Sequence, residues 1–131
     1  MQQLGITTFT AALCGLIYLV LSYRVSQVRM AERISIGDGG SSILVVRMRA
    51  HANFGEYVPI ILILMALIEF ETGYSVLLGI VSALIIVARL LHAVGMSRPS
   101  PNPFRIAGTA GTWITLLLLS AWGLILAIRS F

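Results

Sequence analysis

Four apolar stretches, residues 4–23, 43–68, 74–95 and 106–128, take up most of this 131-residue chain. Each is long enough to cross a ~30 Å hydrocarbon core as a helix rising ~1.5 Å per residue, and far longer than the ~9–11 residues of a spanning strand. A backbone in lipid must satisfy its own hydrogen bonds, which a helix does within one segment. The pattern therefore predicts an all-α integral membrane four-helix bundle, running up and down, with breaks at 24–42, 69–73 and 96–105. Pro99, Pro101 and Pro103 occupy the last break, where a helix interior would not tolerate them.

Composition leaves room for nothing else. Hydrophobic residues make up 58% of the chain and charged residues 11%, against roughly 45–50% and about 25% in soluble domains, so residues 1–131 read as one transmembrane domain. Cys14 stands alone and can form neither an intrachain disulfide nor a Cys-based metal site; no metal site is expected. Met1, Gln2 and Gln3 lack the positive start of a signal peptide, and the apolar run behind them is too long for its core, so segment one reads as a retained anchor.

All nine basic residues are arginine, opposed by five acids. Arg24, Arg29 and Arg33 fall in the first break and Arg98 and Arg105 in the third, while the second holds Glu69 and Glu71. By the positive-inside tendency the arginine-bearing face is cytoplasmic and both termini lie on the other side. These arginines adjoin membrane segments and form no basic tail, which argues against nucleic-acid binding. Gly37-Asp38-Gly39-Gly40 lacks the Lys-Ser/Thr that would follow a phosphate cradle and reads as a turn.

The second segment carries the chemistry. Its purely apolar part, Tyr57 to Ile68, is 12 residues, about 18 Å of helix and too short to span. A full crossing draws Arg49, His51, Asn53 and Glu56 into the bilayer, where an ionisable group costs about 2.5–3.5 kcal/mol at the centre on insertion scales. At ~100° per residue, Arg49, Asn53 and Glu56 share an arc of about 60°, with Arg47 and His51 nearly opposite. Two polar edges on one helix of a four-helix unit predict that one faces its own bundle and the other a neighbouring subunit. Arg89 and His92, three residues apart in segment three, join the same end. The expected site is a crowd of guanidiniums over one buried carboxylate, Glu56, suited to a mostly anionic small ligand carrying one cation.

Plainer roles compete at each position. Arginines near helix ends snorkel to headgroups, Glu56 can pair with Arg49 or Arg89 as interhelical glue, and His51 and His92 can be packing residues. Cys14 reads as a small hydrophobe. The spacings Ala107/Gly111 and Gly108/Thr112 read as close helix packing.

The string Arg49-Ala50-His51-Ala52-Asn53-Phe54-Gly55-Glu56-Tyr57-Val58-Pro59 resembles the second-helix signature of the MAPEG family, the membrane-associated proteins in eicosanoid and glutathione metabolism. Gln27-Val28-Arg29, Ile36-Gly37-Asp38-Gly39-Gly40 (as in small bacterial members), Arg89-x-x-His92 and Pro103-Phe104-Arg105 extend the likeness. The resemblance implies a homotrimer in a bacterial inner membrane, binding glutathione in clefts between subunits near the cytoplasmic face. It implies that Arg49, Asn53, Glu56, Tyr57 and His92 line the glutathione site from one subunit and that Arg29 reaches in from the next. Arg105 stands at the position of the catalytic arginine facing the thiol, with Arg98 as its competitor. The chain departs from the pattern at Met96, where several animal members have Tyr, and at Ala52, often Arg in the prostaglandin synthase branch.

Residue chemistry agrees with that ligand. Glutathione has two carboxylates, an ammonium and a thiol, which several guanidiniums and one carboxylate complement charge for charge. Glu56 would take the ammonium. An arginine donating to the sulfur would favour the thiolate over a thiol whose free pKa is about 8.5. The expected activity is a glutathione-dependent transferase or peroxidase acting on an apolar electrophile or lipid hydroperoxide that arrives through the bilayer. The alternative is a non-enzymatic lipid-binding or scaffold protein of the same fold. A proton-coupled drug exporter fits less well, since segment one has no acid and the arginines would repel cationic drugs.

Overall fold

The computed structural model describes residues 4–130, so the reading of Met1, Gln2 and Gln3 as the start of an anchor lies outside the described residues. Those residues form four helices and no strand: α1 (Gly5–Glu32), α2 (Ser42–Thr72), α3 (Val76–Met96) and α4 (Pro103–Arg129). All four are long and apolar enough to cross a membrane.

The helices outrun the apolar segments. α1 continues through Glu32, so Arg24 and Arg29 lie on helix where the sequence suggested a break. Its 28 residues make about 42 Å, longer than the hydrocarbon core, which carries its arginine-rich end into the interface. α2 likewise runs to Thr72 and absorbs Glu69 and Glu71, leaving residues 73–75 as the link to α3. Hydropathy marks where lipid ends, whereas a helix stops where a residue stops it.

Start signals are local for three helices. The Ser41 and Ser75 hydroxyls accept from Leu44 N and Leu78 N, and Asn102 Oδ1 accepts from Arg105 N, with Pro103 as the first residue of α4. This explains why α3 begins at Val76 rather than residue 74, and α4 at Pro103 rather than residue 106. α1 has no local side-chain cap. The Glu69 carboxylate, 63 residues away on α2, accepts from Ile6 N and Thr7 N at 2.8 Å each. Residues 37–40 form the expected turn, with Gly37, Gly39 and Gly40 at positive φ and Asp38 Oδ1 accepting from Gly40 N.

The bundle is rhombic. α2 and α3 meet across its short diagonal, each packs on both α1 and α4, and α1 and α4 do not touch among the described residues. Antiparallel neighbours bring the C-terminal ends of α1 and α3 together with the N-terminal ends of α2 and α4. At the opposite end Ile61, Met65, Ile68, Leu78, Val81, Ile85 and Leu119 form the main apolar core. A second core of Cys14, Leu21, Ala50, Phe54 and Val58 joins α1 to α2. Leu19, Leu67, Leu117 and Ile128 are among many large apolar side chains on the outside, as expected of a surface solvated by lipid.

α3 and α4 approach most closely, and three glycines permit it. A Cβ on Gly108 would lie 2.4 Å from His92 N, one on Gly95 2.3 Å from Arg105 N, and one on Gly111 2.9 Å from Ala88 Cβ. Gly108, Gly111, Thr112 and Thr115 are the buried α4 face. The small-residue packing is therefore real, but Ala107 faces outward and the stripe runs through Gly108 and Gly111.

Candidate functional site

At the arginine-rich end, α2, α3 and α4 form an open cavity of about 230 Å³ lined by Val46, Arg49, Asn53, His92, Met96 and Arg105. Four of the residues singled out from the sequence, Arg49, Asn53, His92 and Arg105, thus share one wall. Helical geometry places them. Arg49 and Asn53 stand one turn apart on α2, His92 is held against α4 by the glycine contact at Gly108, and Arg105 opens α4 directly beside Gly95. Met96 adds an apolar thioether where an aromatic hydroxyl was the alternative.

Glu56 lies next to this cavity and not beneath it. Its carboxylate is 3.8 Å from the Arg49 guanidinium, and the two side chains are 50% and 61% exposed on the single chain. Within the single chain Glu56 is therefore not the buried carboxylate under the guanidiniums that was expected, because it sits on the outward edge of α2. The buried carboxylate of the fold is Glu69, 2% exposed, at the far end and engaged in capping α1.

The second polar edge of α2 turns into its own bundle. His51 stacks on Tyr18 of α1 at 4.3 Å between ring centroids, and Tyr18 also stacks on Phe54 at 5.5 Å. The outward edge carries Arg49 and Glu56. One edge is accounted for within the chain, and the other is left on its surface.

Two predicted residues lie apart from the cavity in this chain. Arg29 donates to the carbonyls of Ile34, Ser35 and Gly37 and reaches Met48 Sδ at 3.1 Å, fastening the turn between α1 and α2. Tyr57 faces α4, where its hydroxyl accepts from Trp113 Nε1 at 3.4 Å. Of the two competing arginines, Arg105 lines the cavity, while the Arg98 guanidinium lies 4.2 Å over the Phe104 ring.

Sequence reasoning placed Arg89 at this end and offered it only as an alternative partner for Glu56, which pairs with Arg49 instead. It is the largest fully buried side chain, 1% exposed, donating to Asn53 Oδ1 at 3.1 Å and to Thr112 Oγ1 at 3.4 Å, and lying 5.0 Å over the Phe54 ring. Its Nε and His92 Nδ1 are buried without partners. The available signal was the i to i+3 spacing to His92, which puts both on one face. Among the described residues no three of His, Cys, Asp and Glu come together as a metal site.

The comparisons agree with this architecture. Two proteins called "Inner membrane protein YecN", from Escherichia coli strains K12 and CFT073, are each 30% identical to the chain over 131 residues, covering 95% of it and 99% of their own length. No solved structure matches. Four apolar helices together with an inner-membrane relative matched over nearly its full length make this a multi-pass membrane protein. The sequence profile of the MAPEG family matches residues 7–125, and the chain belongs to that family.

Proposed function

We propose that this protein is a glutathione-dependent transferase or peroxidase of the inner membrane, acting on an apolar electrophile or lipid hydroperoxide. The single observation that carries the reading is the convergence of Arg49, Asn53, His92 and Arg105 on one cavity, with Glu56 on its rim. The donor set fits the ligand, since two guanidiniums and an amide suit carboxylates and one nearby carboxylate suits an ammonium.

Bound glutathione supplies a thiol nucleophile. The residues of the chain do the rest. Arg49 and Asn53 hold carboxylate or carbonyl oxygens, and Glu56 exchanges its ion pair with Arg49 for one with the ligand ammonium. Arg105, the exposed guanidinium on the cavity wall, stabilises the ionised sulfur. The apolar partner enters from lipid, past the outer faces of the helices.

The size of the cavity supports an assembly. A cavity of 230 Å³ falls below the ~300–1,000 Å³ usual for pockets that enclose a small molecule, so one chain supplies one wall. The half-exposed Arg49–Glu56 edge then meets a neighbouring subunit, whose Arg29 and whose bulk complete the site in a homotrimer. Eight arginines, all but Arg129, lie toward one end of the bundle. That end is cytoplasmic, with both termini on the other side.

The Arg49–Glu56 pair favours one second reading, a lipid-binding or scaffold protein in which these charges satisfy each other and serve assembly. Equilibrium titration of purified protein in lipid nanodiscs with glutathione separates the two. Saturable binding that weakens at least tenfold in Glu56→Gln and Arg49→Ala supports the enzyme. No binding at millimolar glutathione, or binding indifferent to both substitutions, overturns it.

A further inference from the structure

Arg89 is a charge that the fold has not neutralised. No carboxylate lies within ion-pairing distance among the described residues, where Arg49–Glu56 is the single ion pair, and its two hydrogen-bond partners, Asn53 and Thr112, are neutral. Removing a guanidinium from water without a counter-charge is costly, and a purely structural role would be served as well by an apolar side chain. The position of this charge suggests another use. It sits behind the cavity wall, joined to it through Asn53.

The bond between them has one possible sense. Arginine has five N–H donors and no acceptor, so it can engage Asn53 only through Oδ1. The amide is thereby fixed with its oxygen toward Arg89. Thr112 cannot compete for this role, because its hydroxyl proton is donated to Gly108 O at 2.8 Å. The Asn53 NH2 group, which has no hydrogen-bond acceptor among the described residues, is left for the cavity that Asn53 lines.

We infer that Arg89 is a positioning residue: it locks the Asn53 amide so that the cavity is presented with an N–H donor and never a carbonyl, and its unneutralised charge makes that donor selective for anionic groups. An unrestrained asparagine would offer either face. Locked, it discriminates between a carboxylate and an ammonium at that point of the wall, which assigns a carboxylate of the ligand to Asn53 and leaves the ammonium to the Glu56 rim. This rests on the glutathione reading for the identity of the ligand, but the orientation of the amide does not.

Asn53→Asp separates the two. The variant keeps its bond to Arg89 as an ion pair and so keeps the fold, but it turns acceptor oxygens toward the cavity and cancels the charge. Glutathione and inorganic sulfate are titrated into wild type, Asn53→Asp, Arg89→Lys and Arg89→Met in nanodiscs, with thermal midpoints recorded alongside. Expected are a midpoint in Asn53→Asp no lower than wild type, a loss of tenfold or more in its affinity for both probes, and retained binding in Arg89→Lys, whose ammonium is also donor-only. Unchanged probe affinity in Asn53→Asp, or equal losses in Arg89→Lys and Arg89→Met, overturns the inference. Sulfate binding that Asn53→Asp abolishes, in a protein that ignores glutathione, would sink the proposed function and leave this inference standing. Absence of binding by either probe to wild type overturns both.

Discussion

Replacing Glu69 by glutamine should loosen the start of α1, 63 residues away in sequence. Of the first four amides of that helix, Thr8 N finds Leu4 O at 2.8 Å, and those of Ile6 and Thr7 each donate to Glu69 at 2.8 Å. Glutamine offers one acceptor oxygen, so one amide keeps its bond and the other meets an NH2 group. The loss is one charge-assisted hydrogen bond, about 1.5–3 kcal/mol, plus the attraction of a carboxylate for a helix N-terminus, about 0.3–2 kcal/mol depending on burial. With Glu69 only 2% exposed, water cannot take over either role, and the sum is about 2–5 kcal/mol. Reversible unfolding in mixed detergent micelles, followed by circular dichroism, measures the total. Hydrogen exchange at Ile6 and Thr7 locates it. The exposed neighbour Glu71 is the control, and Glu71→Gln should change stability by less than about 0.5 kcal/mol. A Glu69→Gln protein as stable as that control, or one whose Ile6 and Thr7 amides exchange no faster than wild type, would refute the remote cap.

Gly108→Ala should destabilise the bundle by about 1–3 kcal/mol and weaken glutathione binding in parallel, because its Cβ would meet backbone atoms of Ala88 and His92 that cannot move aside; thermal midpoints and titration on one preparation check this. Arg105→Gln should cut glutathione-dependent turnover by about 10²–10³, whereas Arg98→Gln, whose guanidinium lies over Phe104, should cost little; a standard electrophile assay in detergent compares them. If Arg105 favours the ionised sulfur as proposed, a bound thiol should titrate below its free pKa of about 8.5 in wild type and return toward it in Arg105→Gln, as read from thiolate absorbance against pH. Light scattering with the detergent contribution subtracted should give the mass of three chains, and a monomer would leave the cavity without its second wall.

The elements were legible in the sequence because the apolar runs are long, even where segments two and three carry polar residues, and the turn at residues 37–40 because its glycines mark it. Helix ends were not. Arg24 to Glu32 mixes polar and apolar residues in a way that hydropathy reads as loop, yet nothing there breaks a helix before Arg33, which ends α1 in a left-handed conformation at φ 54°. Glu69 illustrates a deeper limit. Its acidity suggested a solvated loop, and only tertiary packing reveals the uncapped amides that it serves. In the candidate site, helical spacing sufficed to group Arg49 with Asn53 and Arg89 with His92. Depth was misjudged, because a position along the bilayer normal does not say whether Glu56 faces the bundle or its exterior. Arg29 was expected to reach into the site of a neighbouring subunit, and within its own chain it fastens the turn after α1.

Burial of Arg89 and exposure of Arg49 with Glu56 are two sides of one electrostatic arrangement. A guanidinium without a counter-ion raises the potential on the cavity side of α2, and Asn53, Arg49 and Arg105 extend that field to the surface. A cation would be repelled at every point of this wall except the Glu56 rim. In lipid, with little water to screen them, such charges interact more strongly than in water, so an outward-facing ion pair beside an unneutralised arginine is poorly placed for contact with acyl chains. Both costs fall if a neighbouring subunit closes over the edge and an anion enters the space between. The same closure would admit a ligand larger than the cavity of one chain and would separate its ammonium from its carboxylates, with Glu56 at one end and the locked amide of Asn53 at the other.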